Sequence, residues 1–292
     1  MKNSDNIGVI VPTRNAGPDL RRCLEPVLAC PEVARCLVVD SGSTDGTAEL
    51  AAAMGCEVLR IDPQDFNHGA TREMARRRLR TPVVVFLTQD AFMTGPEAIV
   101  RLVEPLRRGQ ADIAYGRQLS KNPADLFETL PREFNYPEAS DVRRIGDVKS
   151  HGVFTFFCSN SFSAYRQDSL DRVGGFPTVL TNEDYIVTAT LLRGGGGIAY
   201  VAEAQAWHSH RYTLRQEYQR LYDTGFVRGE RPWLQDLVGN AEARGIQLSG
   251  ALVAGILRQQ PWLLPYTVMH LFAKWLGYRV GFAAGHRRSK KG

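Results

Sequence analysis

Cysteine is scarce in this sequence: Cys23, Cys30, Cys36, Cys56 and Cys158 are an odd number without a C-x-x-C pair. The spacing argues against a disulfide framework and a zinc knot, and predicts small core thiols in a reducing compartment. Long apolar runs are missing too. The N-terminal "IGVIV" follows Asp5 and is too short for a signal segment, so no export is expected. Near the C-terminus, Pro265, His270, Lys274 and Arg279 interrupt the roughly 20 apolar residues that a membrane crossing requires. No acidic residue follows Glu242, while Arg244, Arg258, Lys274, Arg279, Arg287, Arg288, Lys290 and Lys291 carry eight positive charges. The whole chain has a formal charge of +5, which leaves residues 1–242 at −3. The main body is therefore no electrostatic binder of nucleic acid. Neither a G-x-G-x-x-G after the first strand nor a G-x-x-x-x-G-K-[ST] is present, which removes the usual dinucleotide and P-loop readings.

What is present is an alternation of short apolar strands and helices. "IGVIVPTRN", "CLVVD", "EVLRI" and "PVVVFLTQD" read as buried strands, separated by helices over Asp19–Leu28, Asp45–Met54 and "TREMARRRL". This pattern predicts an α/β fold with a mostly parallel sheet covered on both faces. A helix is expected near Pro96–Arg107 and a strand near Ile113–Tyr115. A long irregular stretch from Ser120 to Gly152 reads as a substrate loop. "FFCSNSFSAYR" then resembles a strand, "EDYIVTATLLR" a helix, and "GIAYVAEAQAWHSH" one or two strands. Residues 1–215 are expected to form the catalytic domain and residues 216–292 a helical appendage with a basic tail.

In open α/β sheets, ligands bind outside the carboxyl ends of the strands. The polar residues there are Pro12, Thr13, Arg14 and Asn15 after the first strand, Asp40, Ser41 and Gly42 after the second, and Gln89 and Asp90 after the later one. In "VVDSGSTDGT", Asp40 can accept from a base or ribose, Ser41 and Gly42 can let a ligand approach the backbone, and Ser43 or Thr44 can cap the next helix. An Asx turn and helix cap without a ligand fits the same residues.

"VIVPTRNAG", "VVDSGSTDGT", "DFNHGATR", "FLTQDA", "YGRQL", "NED" and "HSHRYT" occur in the order seen in bacterial family 2 glycosyltransferases, over about residues 7–225. "DFNHGATR", "TQDA" and "YGRQL" resemble the rhamnosyltransferase branch that builds O-antigen-type surface polysaccharides. The resemblance implies a GT-A fold, a nucleotide-diphosphate-sugar donor (dTDP-L-rhamnose for that branch), a divalent metal and inversion at the anomeric carbon. "PTRN" and Asp40 match nucleoside-binding loops. Arg72 matches a diphosphate-side arginine, with Asn67 and His68 in the same donor-facing loop. In "TQD" Thr88 stands where a first carboxylate is common, so Asp90 is left to hold Mg2+ or Mn2+ in an oxygen-rich site, and the family's metal-contacting histidine falls on His208. His208 and His210 lie two apart; a structural loop pair is the alternative. Of the "ED" pair, Asp184 matches the general base and Glu183 would orient the acceptor; the pair also suits a helix N-terminus.

The implied acceptor is a lipid-linked saccharide, which predicts a cytoplasmic protein, peripheral on the inner membrane. The basic C-terminal end is expected to meet an anionic leaflet, with a helix packed on the catalytic domain as the alternative. A UDP-hexose-dependent transferase and a noncatalytic sugar-nucleotide-binding scaffold are the competing readings of the whole chain.

Overall fold

A computed structural model describes residues 6–121, 123–238 and 242–290; Asp5 and Lys291 lie outside the described residues. The first half follows the strand–helix alternation: β1 (Ile7–Thr13), α1 (Asp19–Leu28), β2 (Val33–Asp40), α2 (Thr47–Ala53), β3 (Glu57–Arg60), α3 (His68–Leu79) and β4 (Val83–Leu87). Then come β5 (Phe92–Met93), α4 (Glu97–Arg107), β6 (Ile113–Leu119), α5 (Leu126–Asn135), β7 (Asp141–Arg143), α6 (Val148–His151), β8 (Phe162–Arg166), α7 (Gln167–Arg172), α8 (Glu183–Arg193) and β9 (Ile198–Trp207). Helices α9 (Leu214–Gly229), α10 (Pro232–Val238), α11 (Glu242–Gln259) and α12 (Leu264–Ser289) complete the chain.

One nine-stranded sheet runs in the order β3-β2-β1-β4-β8-β6-β9-β5, with β7 paired to β9. The β3-β2-β1-β4 half is parallel, β8 is antiparallel to β4 and β6, and β9 returns parallel to β6. Side chains alternate between two cores. Val9, Val11, Val38, Val85 and Leu87 pack with α1, α2 and α4, whereas Ile10, Leu37, Val39, Val84 and Phe86 pack with α3 and α8. Burial on both faces is why these strands read as continuous apolar runs instead of alternating ones.

The pairing of β1 to β4 ends at Ile10 with Phe86, while β1 to β2 continues to Thr13 with Asp40. Pro12, which has no amide hydrogen, falls beyond the last β1–β4 pair, where no ladder bond is lost. The carboxyl ends of β1 and β4 therefore part, and the chain order reverses there, which opens a crevice.

Residues 120–152 differ from the expected irregular loop. They contain α5, opened by a capping box between Asp125 and Glu128, as well as β7 and α6. Pro131 inside α5 obscures its helical pattern, and the partners of its apolar side chains lie on α11 and α12. In "FFCSNSFSAYR" the strand begins only at Phe162; residues up to Phe156 form a 3-10 turn, and Ser159 and Asn160 lie in the loop between. The helical C-terminal region is part of the same body, because Val227 and Leu234 are buried in the core that holds Tyr185 of α8.

Candidate active site

The "DSGSTDGT" stretch shapes the loop after β1. Ser43 Oγ accepts from the Asn15 amide at 2.8 Å, Thr47 Oγ1 from the Ala16 amide at 2.9 Å, and Asp45 Oδ2 from the Gly17 amide at 2.9 Å. Asn15 returns the contact, its Oδ1 accepting from the Thr44 amide at 2.9 Å. These bonds hold Asn15 in a left-handed conformation, φ 48°. On the other side of the crevice, the Gln89 side chain accepts from the Arg14 amide at 2.7 Å and donates to the Arg14 carbonyl at 3.1 Å. The sequence offered no signal for the roles of Ser43, Asp45 and Thr47 as straps, because their partners are about thirty residues upstream.

Ser41 donates to the Thr13 carbonyl at 3.0 Å, and Thr13 is itself buried. Gly42 has φ +74°, and a Cβ there would come within 2.5 Å of Pro63, so the position needs glycine for its backbone and for that packing. Asp40 is almost fully buried. Its Oδ2 accepts from the Ser43 amide at 3.1 Å, while its Oδ1 has no hydrogen-bond partner among the described residues. A buried carboxylate oxygen left without a donor is costly. Asp40 is thus ready to accept from a ligand N–H or O–H.

Asn67 is the N-cap of α3, its Oδ1 accepting from the amides of Gly69 and Ala70 at 3.2 and 3.0 Å. The buried Arg72, one turn further on, donates to the His68 carbonyl at 2.9 Å and meets Glu183 at 3.2 Å. Its Nε is buried without a partner among the described residues. The donor-side motif "NHGATR" is in this way joined to the acidic pair of α8.

That pair is set by Asn182, whose left-handed backbone (φ 62°) turns the chain into α8 and leaves Glu183 and Asp184 in its first turn. Asn160 organises both. Its Nδ2 donates to Glu183 Oε1 at 2.9 Å, its amide donates to Asp184 Oδ2 at 3.3 Å, and its own Oδ1 accepts from Ser163 and Tyr165. Burial alone would raise the Glu183 carboxyl, but the Arg72 guanidinium and the Asn160 amide outweigh it and keep the acid below its ordinary value. Asp184 goes the other way. Burial and the neighbouring Glu183 charge push it up to about 7, although it keeps some accessible surface. Two adjacent carboxyls with separated pKa values are the pattern of divided acid–base roles. Asn160 was given no role from the sequence; the signal there was "SNSFSAYR", residues 159–166, whose mix of aromatic and polar side chains suits a sugar-facing segment and a core strand equally.

Asp90, His208 and His210 converge beyond the ends of β4 and β9. His210 Nε2 lies 3.0 Å from Asp90 Oδ2 and 3.0 Å from His208 Nε2, and His208 Nε2 lies 3.5 Å from Asp90 Oδ1. One ligand atom from each falls within 4.8 Å of the others. Gln118 of β6 determines the tautomer. Its Nε2 donates to Ser159 Oγ at 2.8 Å, which leaves Oε1 to accept from His208 Nδ1–H at 3.0 Å and points the Nε2 lone pair into the cluster. Burial lowers His208 to about 3, so its imidazole is neutral near pH 7. Burial pushes Asp90 up, but hydrogen bonding to His210 and, at the acid pH where both imidazoles are protonated, the charges of His208 and His210 outweigh it, and its acid is held well below the usual carboxylate range. A neutral imidazole with a directed lone pair, a second histidine and an ionised carboxylate fit a divalent cation. With two nitrogens and one oxygen the protein donors are less oxygen-rich than "TQD" suggested, and His210 joins His208. The role of Gln118 was also missed by sequence reasoning: its place in the "YGRQL" motif was the available signal, and the expected strand stopped short of it at Tyr115.

The Asp90–His208–His210 cluster and the acidic pair are neighbours through one loop, because Ser159, which receives Gln118, precedes Asn160, which holds Glu183 and Asp184. A family model, Glycosyl transferase family 2, matches residues 8–174. The chain is 37% identical over 282 residues to the O-antigen chain rhamnosyltransferase RfbN of Salmonella typhimurium, covering 94% of this chain and 89% of that one. It is 35% identical over 280 residues to the O-antigen chain rhamnosyltransferase WbaN of Salmonella anatum, covering 94% and 88%. Among solved structures, the mannosyltransferase PcManGT of Pyrobaculum calidifontis, in complex with GDP-Man and Mn2+, is similar with a TM-score of 0.62 at 17% identity, over 97% of this chain and 86% of that one. S. aureus TarS in complex with UDP-GlcNAc is similar with a TM-score of 0.58 at 14% identity, over 98% and 90%. The chain therefore belongs to glycosyltransferase family 2 and is a glycosyltransferase of GT-A fold.

Proposed function

We propose that the protein is an inverting rhamnosyltransferase that moves L-rhamnose from dTDP-L-rhamnose to a lipid-linked saccharide in O-antigen-type polysaccharide synthesis. The names of the two Salmonella relatives supply the sugar and the pathway class. The observation that supports the inverting mechanism is the placing of Asp184 in the first turn of α8, accepting from the Asn160 amide at 3.3 Å beside Glu183, which Arg72 meets at 3.2 Å; burial and the Glu183 charge push the Asp184 carboxyl up to about 7. Inversion by direct displacement needs a base to take the proton of the acceptor hydroxyl, and a base poised near neutral pH does this best. Asp184 takes that proton, and Glu183, kept ionised by Arg72, holds its pKa up and orients the acceptor. Asp40 Oδ1 receives an N–H or O–H of the nucleoside, and the strapped 12–17 loop forms the wall beside it. Asp90, His208 and His210 would hold the divalent ion, which when bound neutralises the diphosphate as it leaves. The nitrogen-rich donor set favours Mn2+ over Mg2+. An acceptor on a membrane lipid places the reaction at the cytoplasmic surface of the inner membrane.

The experiment is a donor panel assayed by nucleotide diphosphate release with lipid-linked acceptors. Turnover of dTDP-L-rhamnose should exceed that of UDP-glucose and UDP-N-acetylglucosamine, and Asp90→Asn or chelator should nearly abolish it. Equal use of a UDP-hexose would refute the rhamnosyl reading and leave the transferase; full activity of Asp90→Asn in chelator would refute the metal role.

A further inference from the structure

Helix α12 is built inside out. Thr267, His270, Lys274, Gly277, Gly281 and Gly285 recur every three or four residues and face inward. His270 lies against the rings of Phe127 and Tyr266, and burial lowers Lys274 against the opposing pull of Glu217 on α9. The opposite stripe carries Val268, Met269, Phe272 and Trp275, which are between 51% and 59% exposed, and Trp262 just before the helix is 71% exposed. A helix in water presents its polar side outward. Here His270 and Lys274 face inward, and the outer face is apolar and aromatic from Val268 to Trp275, with cations exposed on it only from Arg279 onward.

We propose that this outer face of α12 is the surface by which the protein docks on an anionic lipid bilayer, with Phe272 and Trp275 inserted at the headgroup level. The same face continues at the C-terminal end into Ala283, Arg287 and Lys290, so apolar and cationic groups lie along one line of the helix. From residue 243 to 290 there is no acidic side chain. A second copy packed through the same face would bring α12 against α12, whose cations meet no carboxylate on the facing helix, whereas an anionic leaflet supplies the missing charge. The helix is not a crossing segment: no described helix is long and apolar enough to span a membrane. It is suited to lie in the interface plane, where tryptophan and basic residues are favoured. Docking would bring lipid close to the active site. Phe127 at the start of α5 stacks edge-on against Tyr266 of α12 at 5.1 Å, and Arg132 on the same α5 donates to the carbonyl of the metal-cluster residue His208. One helix thus separates the docking face from the cluster. The proposal rests on the lipid-linked acceptor of the functional reading for its purpose, but not for its physical basis.

Vesicle binding tests it without turnover. The full chain should cosediment with vesicles of phosphatidylglycerol and phosphatidylethanolamine and far less with phosphatidylcholine alone, and high salt should release it. Phe272→Ser with Trp275→Ser should weaken binding about 10-fold or more, with unchanged thermal unfolding and unchanged nucleotide diphosphate release with a water-soluble acceptor. Arg287→Glu with Lys290→Glu should weaken binding to the anionic vesicles alone. Trp275→Phe should keep binding while losing part of the fluorescence quenching by brominated acyl chains. Binding by the Phe272/Trp275 variant equal to wild type, or a self-associated wild type that this variant makes monomeric and that ignores vesicles, would overturn the proposal. Failure of transfer with intact vesicle binding would count against the functional reading instead.

Discussion

At Asp184, burial and the neighbouring Glu183 charge set a carboxyl apart from ordinary ones, at a cost in stability. Its folded pKa of about 7 stands above the ordinary carboxyl value of 3.8, so between those pH values the folded state holds a proton that the unfolded state has released. Stability from this group is therefore present at low pH and lost as pH rises toward 7. Two results should follow from one substitution. Asp184→Asn should lower the transfer rate by about 100 to 10,000-fold, and in a thermal melt at pH 8 it should unfold at a higher temperature than wild type. The wild-type rate should fall on its acid side with an apparent pKa near 7. A pH-independent rate from 5 to 9, or a destabilised Asp184→Asn at pH 8, would remove Asp184 from the role of base.

At the scale of elements, the site is assembled by strands and helices that reach it from opposite ends of the sequence. Gln118 on β6 holds His208, after β9, in the tautomer that leaves its Nε2 lone pair free, although 90 residues separate them. Gln118→Ala should lower Mn2+ affinity about 10 to 100-fold in a calorimetric titration while the fold is kept; unchanged affinity would mean that the tautomer is set elsewhere. The helix pair α9–α12 depends on close backbone approach. A Cβ at Gly281 would stand 2.0 Å from the Tyr222 carbonyl oxygen, and Gly277 and Gly285 make similar approaches to Tyr218 and Phe226. At Gly250 on α11 a Cβ would meet nothing. Gly281→Ala should therefore cost about 1–3 kcal/mol in denaturant unfolding, whereas Gly250→Ala should be neutral or stabilising by up to about 1 kcal/mol. The opposite order would show that α9 and α12 are not in contact as described.

For the molecule as a whole, the C-terminal helices do more than follow the catalytic domain. Val227 and Leu234 share the core that supports Tyr185, the Arg228 guanidinium lies 4.3 Å from the Tyr185 ring centroid, and Asn182 donates to Thr224 at 3.3 Å. The start of α8, and with it the acidic pair, leans on this region. Deleting residues from 261 onward would uncover Tyr218, Tyr222 and Phe226 on α9, so vesicle binding by a truncated chain would mix lost docking with exposed core. Point substitutions on the outer face separate the two effects, which is why the docking test uses them.

The sequence by itself determined the parallel half of the sheet, because strands buried on both faces must be apolar throughout, and their ends are then marked by the polar residues Arg14, Asp40 and Asp90. It also determined the family, through motifs whose order survives without any contact being known. Tertiary structure alone decided which of those motif residues are free for chemistry. Asn67 and Ser43 are spent on backbone amides, Asp40 keeps one oxygen unpaired, and Asp184 is lifted above Glu183 by burial and charge. The direction of α12 was likewise beyond the sequence. Its spacing shows a stripe containing His270 and Lys274, but spacing cannot say whether that stripe faces water. Packing against Glu217 and the glycine-lined seam with α9 turned the polar side inward and left Phe272 and Trp275 on the surface. Hydrogen-bond partners, electrostatic environment and the choice of buried face all depend on groups distant in sequence, and only the folded chain brings them together.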